Sequence, residues 1–193
     1  MPPVPMRFIM SAPRAADLPP SEREVAVVGR SNVGKSSLIN AIANRVRLAH
    51  VSKTPGRTQL INIFEVAPGT TVVDLPGYGY AKVPGRIKSE WGAMIEGYLL
   101  ERDCLQMVMV LVDGEIGPTK LDVQMLDWLR GNEIPHQVVA TKSDKVKSAR
   151  KPARKKELAA GCMLDPGDVV WVSAAKGANI DRLQDLIRSW LAA

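Results

Sequence analysis

Residues 29–36 read Gly-Arg-Ser-Asn-Val-Gly-Lys-Ser, two glycines five positions apart followed by a lysine and a hydroxyl. That grouping suits a polyphosphate. Phosphate oxygens need many donors close together. Gly29 and Gly34 let the backbone fold tightly so that successive N–H groups point inward, at the positive end of a helix. The amides of Arg30, Ser31, Asn32 and Val33 complete the cradle, and Ser37 follows in the first helical turn. Lys35 can neutralise the β and γ oxygens, and the Ser36 hydroxyl can ligate Mg²⁺. The run fits the phosphate-loop pattern G-x-x-x-x-G-K-[ST] between a strand and a helix.

Asp74-Leu-Pro-Gly77 closes a further apolar strand. D-x-x-G alone is usually just a turn; downstream of a phosphate loop it acquires a mechanism. Asp74 would hold Mg²⁺ through water while the Gly77 N–H meets the γ-phosphate, with Leu75 and Pro76 between them. The segment Gly77-Tyr-Gly-Tyr80 would then be free to rearrange once that contact is lost.

Thr141-Lys-Ser-Asp144 selects the base. The Asp144 carboxylate can accept two hydrogen bonds from the N1–H and N2–H₂ edge of guanine, and adenine offers no matching pair. The stem of Lys142 would lie over the purine, with Ser143 next to it. Asparagine usually stands first, its amide bracing the phosphate loop; Thr141 keeps only a hydroxyl. Ser173-Ala-Ala-Lys176 follows the last strand, where a backbone N–H among Val172, Ser173 and Ala174 would contact guanine O6. The four motifs, in this order and each ending a strand, define a site for GTP or GDP.

The elements that must position these residues follow from periodicity. Strands are expected at Glu24 to Gly29, Leu60 to Val66, Thr70 to Asp74, Cys104 to Asp113, Gln137 to Thr141 and Val169 to Val172. Helices are expected from Lys35 to about Arg45, Ile87 to about Arg102, Leu121 to Arg130 and Ile180 to Leu191. This alternation implies an α/β fold with right-handed crossovers and helices on both faces. In such sheets ligands bind at the carboxyl ends of the strands, where every motif lies.

The chain of 193 residues suits one domain. Residues 1–20 hold six prolines and read as an N-terminal extension, residues 21–193 as the domain. No apolar run spans a bilayer and no secretory signal is visible, so a cytoplasmic protein with no membrane partner is expected. Without a heptad run, a monomer is expected. Cys104 and Cys162 share no metal-type spacing and read as reduced thiols. Net charge is +6, concentrated between Lys142 and Lys156, which suits RNA or a solvated helix face equally.

The stretches GRSNVGKSSLIN, TPGRTQLINIFEV, DLPGYGYAKV, TKSDK and SAAKG resemble the bacterial EngB/YihA/YsxC GTPases, small Era-like ribosome-biogenesis GTP-binding proteins. The similarity runs from about Ser21 to the C-terminus. It implies a P-loop NTPase fold of the Ras-like G-domain type: a mostly parallel six-stranded sheet with one antiparallel edge strand. It implies that Thr58, in Gly56-Arg57-Thr58-Gln59-Leu60, is a second Mg²⁺-ligating hydroxyl, in a segment that also lines the nucleotide. Lys35, Thr58 and Gly77 would then act in GTP hydrolysis. The resemblance further implies a role in assembling the large ribosomal subunit, and a link to cell division and septation. Tyr78 stands where Ras-type GTPases carry a water-orienting glutamine, so intrinsic hydrolysis should be slow. Asn32 matches a position that binds K⁺ in some related GTPases; a plain loop-stabilising amide is the alternative. The ribosomal link favours RNA contact at Lys151, Arg154, Lys155 and Lys156. Two functional readings remain: a slow GTPase switch, and a nucleotide-dependent RNA- or ribosome-binding module with negligible turnover.

Overall fold

The computed structural model describes residues 3–49, 60–78 and 85–192, with backbone alone for residues 85–91. The strands are β1 (Arg7–Ala12), β2 (Arg23–Gly29), β3 (Ile61–Ala67), β4 (Thr70–Asp74), β5 (Leu105–Asp113), β6 (His136–Thr141) and β7 (Val170–Trp171). The helices are α1 (Lys35–Ile42), α2 (Gly85–Glu101), α3 (Lys120–Gly131), α4 (Lys151–Gly161) and α5 (Ile180–Leu191). One sheet in the order β1-β3-β4-β2-β5-β6-β7 forms the centre. β2 pairs in parallel with β4 and β5, and β5, β6 and β7 follow in parallel.

Alternation along the strands builds two cores. Val25, Val27, Met109, Leu111 and Val139 face a layer made by α1 and α5. Ala26, Val28, Val110, Val112 and Ala140 face the opposite layer, which holds Tyr98 of α2, Leu126 and Leu129 of α3 and Leu158 of α4. α5 buries Ile180, Leu183, Ile187 and Leu191 at three- and four-residue spacing. A capping box at Thr119 and Asp122 starts α3, with each residue's side chain meeting the other's backbone.

The fold class is the one expected, but the sheet has seven strands rather than six. The additional strand, β1, lies in the proline-rich stretch and pairs antiparallel with β3, from Arg7 opposite Glu65 to Ala12 opposite Ile61. Prolines 3, 5 and 13 flank this strand without interrupting it, and an edge strand needs ladder donors on one side only. β3 runs antiparallel to both neighbours, so β1 covers what would have been its open edge. Val4, Met6, Ala12, Ala15 and Leu18 are all buried in the two cores.

At the end of β2 remote from Gly29, the fully buried Glu24 carboxylate gathers four donors. Tyr98 Oη donates to Oε1 at 2.8 Å, Thr71 Oγ1 to Oε2 at 2.9 Å, and Arg102 to both oxygens at 3.0 and 2.7 Å. This cluster ties β2, β4 and α2 together. Both cysteines are free thiols, and burial pushes Cys162 up to about 11.

Candidate nucleotide-binding site

β2 delivers its last residue, Gly29, into a space that admits no side chain. A Cβ there would lie 2.9 Å from Val33 Cγ1 and 3.0 Å from Leu111 Cβ. The chain then turns through Asn32 (φ 66°) and Gly34 (φ 102°), both left-handed, before α1 begins at Lys35. Val33 is a core side chain, 1% exposed, so its share in the loop is backbone. Asn32 is exposed, while Ser36 and Ser37 stand half-buried in the first turn of α1. A left-handed glycine leading into a helix start is the backbone arrangement an anion requires. Of the amides expected in the cradle, however, the Ser31 and Val33 N–H groups are given to Tyr78 O and Arg30 O.

β4 brings Asp74 to the same mouth, in parallel register with Val27. Lys35 Nζ is ion-paired with Asp74 Oδ1, and both side chains are nearly buried. Asn62 Nδ2 approaches Asp74 Oδ2 at 3.5 Å. A lysine and a carboxylate held at a phosphate loop are the groups that a Mg²⁺–phosphate pair would engage. No cluster of three or more His, Cys, Asp or Glu residues able to hold a metal occurs among the described residues. The Ser36 hydroxyl at the start of α1 and the Asp74 carboxylate are oxygen donors of the kind that fit Mg²⁺, which takes few protein ligands and shares phosphate oxygens and water; these two would hold it.

The base side is built from the ends of β5, β6 and β7. Thr141, 4% exposed, donates its hydroxyl to the Val33 carbonyl at 2.7 Å. The threonine thus braces the phosphate loop as the usual asparagine amide is expected to. Lys142 (φ 54°) sends Nζ to Asn32 O at 2.9 Å and to Asp113 Oδ2 at 2.7 Å, its stem passing near Gly34. Asp113 also accepts the Glu115 and Ile116 amides through Oδ1. Asp144 accepts the Ser173 hydroxyl at 2.5 Å, which holds its carboxyl below the usual carboxylate range. It is therefore ionised at neutral pH, as an acceptor for the guanine edge must be.

Several expected contacts are narrowed. The Val172 N–H is taken by Ala140 O and the Ser173 N–H by Ala178 O. Of the three amides proposed for guanine O6, only that of Ala174 has no acceptor among the described residues. Val172 accepts from Ser143 N–H at 3.0 Å instead. Leu75 and Pro76 are buried, so their side chains belong to the core. Leu60 is 41% exposed just before β3. Gly56, Arg57, Thr58 and Gln59 lie outside the described residues, as does Tyr80.

Gly77 sits against the phosphate loop: a Cβ would come 3.2 Å from Ser31 N and 3.3 Å from Ser31 Oγ. The next residue zips onto that loop. Tyr78 N–H donates to Gly29 O at 3.2 Å, and Ser31 N–H donates to Tyr78 O at 3.0 Å. The Tyr78 hydroxyl donates to Asp122 Oδ1 at 2.9 Å. Asp122 Oδ2 accepts Thr119 N–H and Oγ1 at 2.8 Å each and faces Arg30 Nε at 3.4 Å. Reading the sequence missed Asp113 and Asp122. The aspartate ending β5 and the T-x-x-D capping box were the signals that mark them.

α4 exposes Lys151, Lys155 and Lys156. Arg154 differs from them: it donates to Glu115 O at 2.5 Å and pairs with Glu157 at 3.3 Å, buttressing the loop after β5.

A glycine-bounded anion loop, a buried lysine–aspartate pair and an ionised base-reading aspartate, all at strand ends of one α/β sheet, define a P-loop guanine-nucleotide-binding domain. A family of 50S ribosome-binding GTPases matches residues 24–142. The probable GTP-binding protein EngB of Enterobacter sp. (strain 638) is 46% identical over 186 residues, covering 95% of this chain and 89% of that protein. The EngB of Desulforamulus reducens is 55% identical over 141 residues, 72% and 69% of the two chains. A crystal structure of a probable EngB superposes with TM-score 0.72 at 25% identity, over 87% of this chain and 98% of that one. Aquifex aeolicus Era shares the fold, with TM-score 0.69 at 24% identity over 88% and 57% of the chains. The chain belongs to the EngB family of GTP-binding proteins, and is a GTPase of that family.

Proposed function

We propose that this protein is a slow GTPase switch of the bacterial cytosol that acts in assembling the large ribosomal subunit, with the family's link to cell division and septation. The observation that carries the nucleotide chemistry is the convergence of Lys35, Asp74 and Gly77 on the phosphate loop, with Asp144 ionised at the base side. Lys35 exchanges its Asp74 partner for the β and γ oxygens, the Gly77 amide meets the γ-phosphate, and Asp144 reads guanine. Ser36 and Asp74, joined by Thr58 in the GTP form, would hold Mg²⁺, which would supply positive charge to offset that growing on the phosphate oxygens. Asn32 and Gly34 supply loop amide donors, the Ser31 N–H being given to Tyr78 O, and Arg30 stands behind them.

Slow turnover rests on Tyr78, whose hydroxyl is committed to Asp122 and does not orient a water. The same contact favours a second reading, a nucleotide-dependent ribosome-binding module with negligible turnover. Single-turnover GTP hydrolysis with and without purified large subunits separates the two. Turnover accelerated by subunits supports the switch; none under either condition leaves the binding module. K⁺ beside Asn32 would add positive charge near the phosphates, and equal rates in KCl and NaCl at one ionic strength would remove it. RNA contact is assigned to Lys151, Lys155 and Lys156. Neutralising them should weaken subunit binding and flatten its salt dependence while GDP affinity stays unchanged. Arg154, having backbone and carboxylate partners, should add little to RNA binding.

A further inference from the structure

We infer that Asp122 is a positioning residue for GTP hydrolysis, holding Gly77 in place over the phosphate loop through a latch made with Tyr78 and Arg30. The inference rests on the GTPase reading above. Asp122 is fully buried and belongs to α3, an element that carries none of the nucleotide motifs. Its two oxygens nevertheless reach both halves of the γ-phosphate machinery. Oδ1 accepts from Tyr78, directly after Gly77; Oδ2 faces Arg30, directly after Gly29.

The backbone shows why this matters. Both main-chain polar groups of Tyr78 are spent on the loop, one on Gly29 O and one from Ser31 N–H. Gly77 is thereby held within van der Waals reach of Ser31, where any Cβ would crowd it. The two backbone hydrogen bonds form an isolated bridge between Arg30 and Tyr78, outside the named strands, and so short a pairing is weak on its own. The side-chain latch fixes the same residue from the other side. With it closed, the Gly77 amide is ordered before the γ-phosphate forms in-line geometry, so the reaction is spared that ordering. GDP has no γ-phosphate and draws nothing from the Gly77–Tyr78 half of the arrangement. The Arg30 Nε, buried and with no hydrogen-bond acceptor among the described residues, is held by charge against Asp122. The loop and Tyr78 therefore share one anchor.

Tyr78→Phe removes the latch hydroxyl and keeps the ring. The full chain is assayed by single-turnover GTP hydrolysis and by fluorescent GDP and non-hydrolysable GTP-analogue binding, with melting temperature recorded. Tyr98→Phe is the control, because it likewise deletes a hydroxyl donated to a buried carboxylate, Glu24, at the far end of β2. The expected result for Tyr78→Phe is a loss of roughly ten-fold in rate and in GTP-analogue affinity, the scale of one hydrogen bond to a charged group, with GDP affinity held within about two-fold. Tyr98→Phe should lower the melting temperature and leave both nucleotide measurements as they were. Equal losses of GDP and GTP-analogue affinity in Tyr78→Phe, or hydrolysis matching the unaltered protein, overturn the latch while the GTPase reading stands. Failure of the unaltered protein to bind either nucleotide in Mg²⁺ buffer removes both.

Discussion

The hydroxyl of Thr141 and the carbonyl of Val33 meet at 2.7 Å, joining the end of β6 to the middle of the phosphate loop. The hydroxyl leans toward Val112 O at 3.3 Å as well, so its proton is offered mainly to the loop. In Thr141→Val the shape is kept and the donor is lost. A buried carbonyl left without its partner costs about 1–3 kcal/mol. Part of that should appear as faster GDP dissociation, about ten-fold at most. Thr141→Asn should retain slow dissociation, because an amide donates to the same carbonyl. Stopped-flow release of a fluorescent GDP checks both; identical off-rates for the valine variant and the parent would contradict the bracing role.

Asp144 is held ionised by the Ser173 hydroxyl, so base selectivity should respond to both residues. Asp144→Asn replaces two acceptors with one acceptor and an amide donor. Guanine then faces a donor at its N2–H₂ edge, while xanthine presents a carbonyl there. GDP affinity should fall by about ten-fold or more, and xanthosine diphosphate should gain. Ser173→Ala should weaken GDP more modestly, about three-fold, because the carboxylate loses orientation and keeps its charge. Competition of GDP, xanthosine diphosphate and ADP against a fluorescent guanine nucleotide distinguishes these outcomes.

The site was more legible in the sequence than the scaffold edge was. Gly29, Lys35, Asp74 and Asp144 announce themselves because each chemistry tolerates few residue types, and strong apolar runs placed each at a strand end. β1 stayed hidden because its sequence, Arg-Phe-Ile-Met-Ser-Ala, has no clean alternation and sits among prolines. Its pairing is set by β3, some fifty residues away, and no local pattern encodes that. α4 was hidden for another reason: Leu158 and Ala159 are its buried residues, too few for a periodic apolar face. The role of Tyr78 was legible only as a missing glutamine. That its hydroxyl finds Asp122 depends on how α3 packs beside the phosphate loop, a tertiary fact. For Thr141, the hydroxyl it keeps suffices to brace the loop, because 2.7 Å to Val33 O is a full hydrogen bond.

The Glu24 cluster should carry folding rather than nucleotide chemistry. The carboxylate is fully buried, and its ion-pair partner Arg102 is mostly buried with it. Removing one member of a buried pair leaves an uncompensated charge, at about 3–5 kcal/mol. Glu24→Ala should therefore lose that much stability in urea titration at neutral pH. Hydrolysis per folded molecule should be unchanged, since Glu24 stands at the end of β2 opposite Gly29. A Glu24→Ala protein as stable as the parent would show that the cluster contributes nothing net.

Alkaline stability tests the two buried tyrosines together. Burial, with the neighbouring Asp122 and Glu24 carboxylates, raises Tyr78 and Tyr98 well above the ordinary tyrosine value. Below pH about 10 both are protonated in the folded and unfolded chains alike, and their contribution is fully present. Above that, the unfolded chain releases the two protons and the folded chain keeps them. The unfolded state then binds fewer protons, so stability must fall as pH rises, by up to about 1.4 kcal/mol per pH unit for each tyrosine. Cys162, pushed up to about 11, acts with the same sign from a lower starting pH. Urea midpoints between pH 8 and 11.5 should therefore bend gently at first and steeply past 10. Tyr78→Phe with Tyr98→Phe abolishes both phenols, so the steep limb should flatten to the slope set by the remaining groups. An unchanged limb in that double variant would mean the two hydroxyls do not titrate differently on folding, which their burial against carboxylates requires.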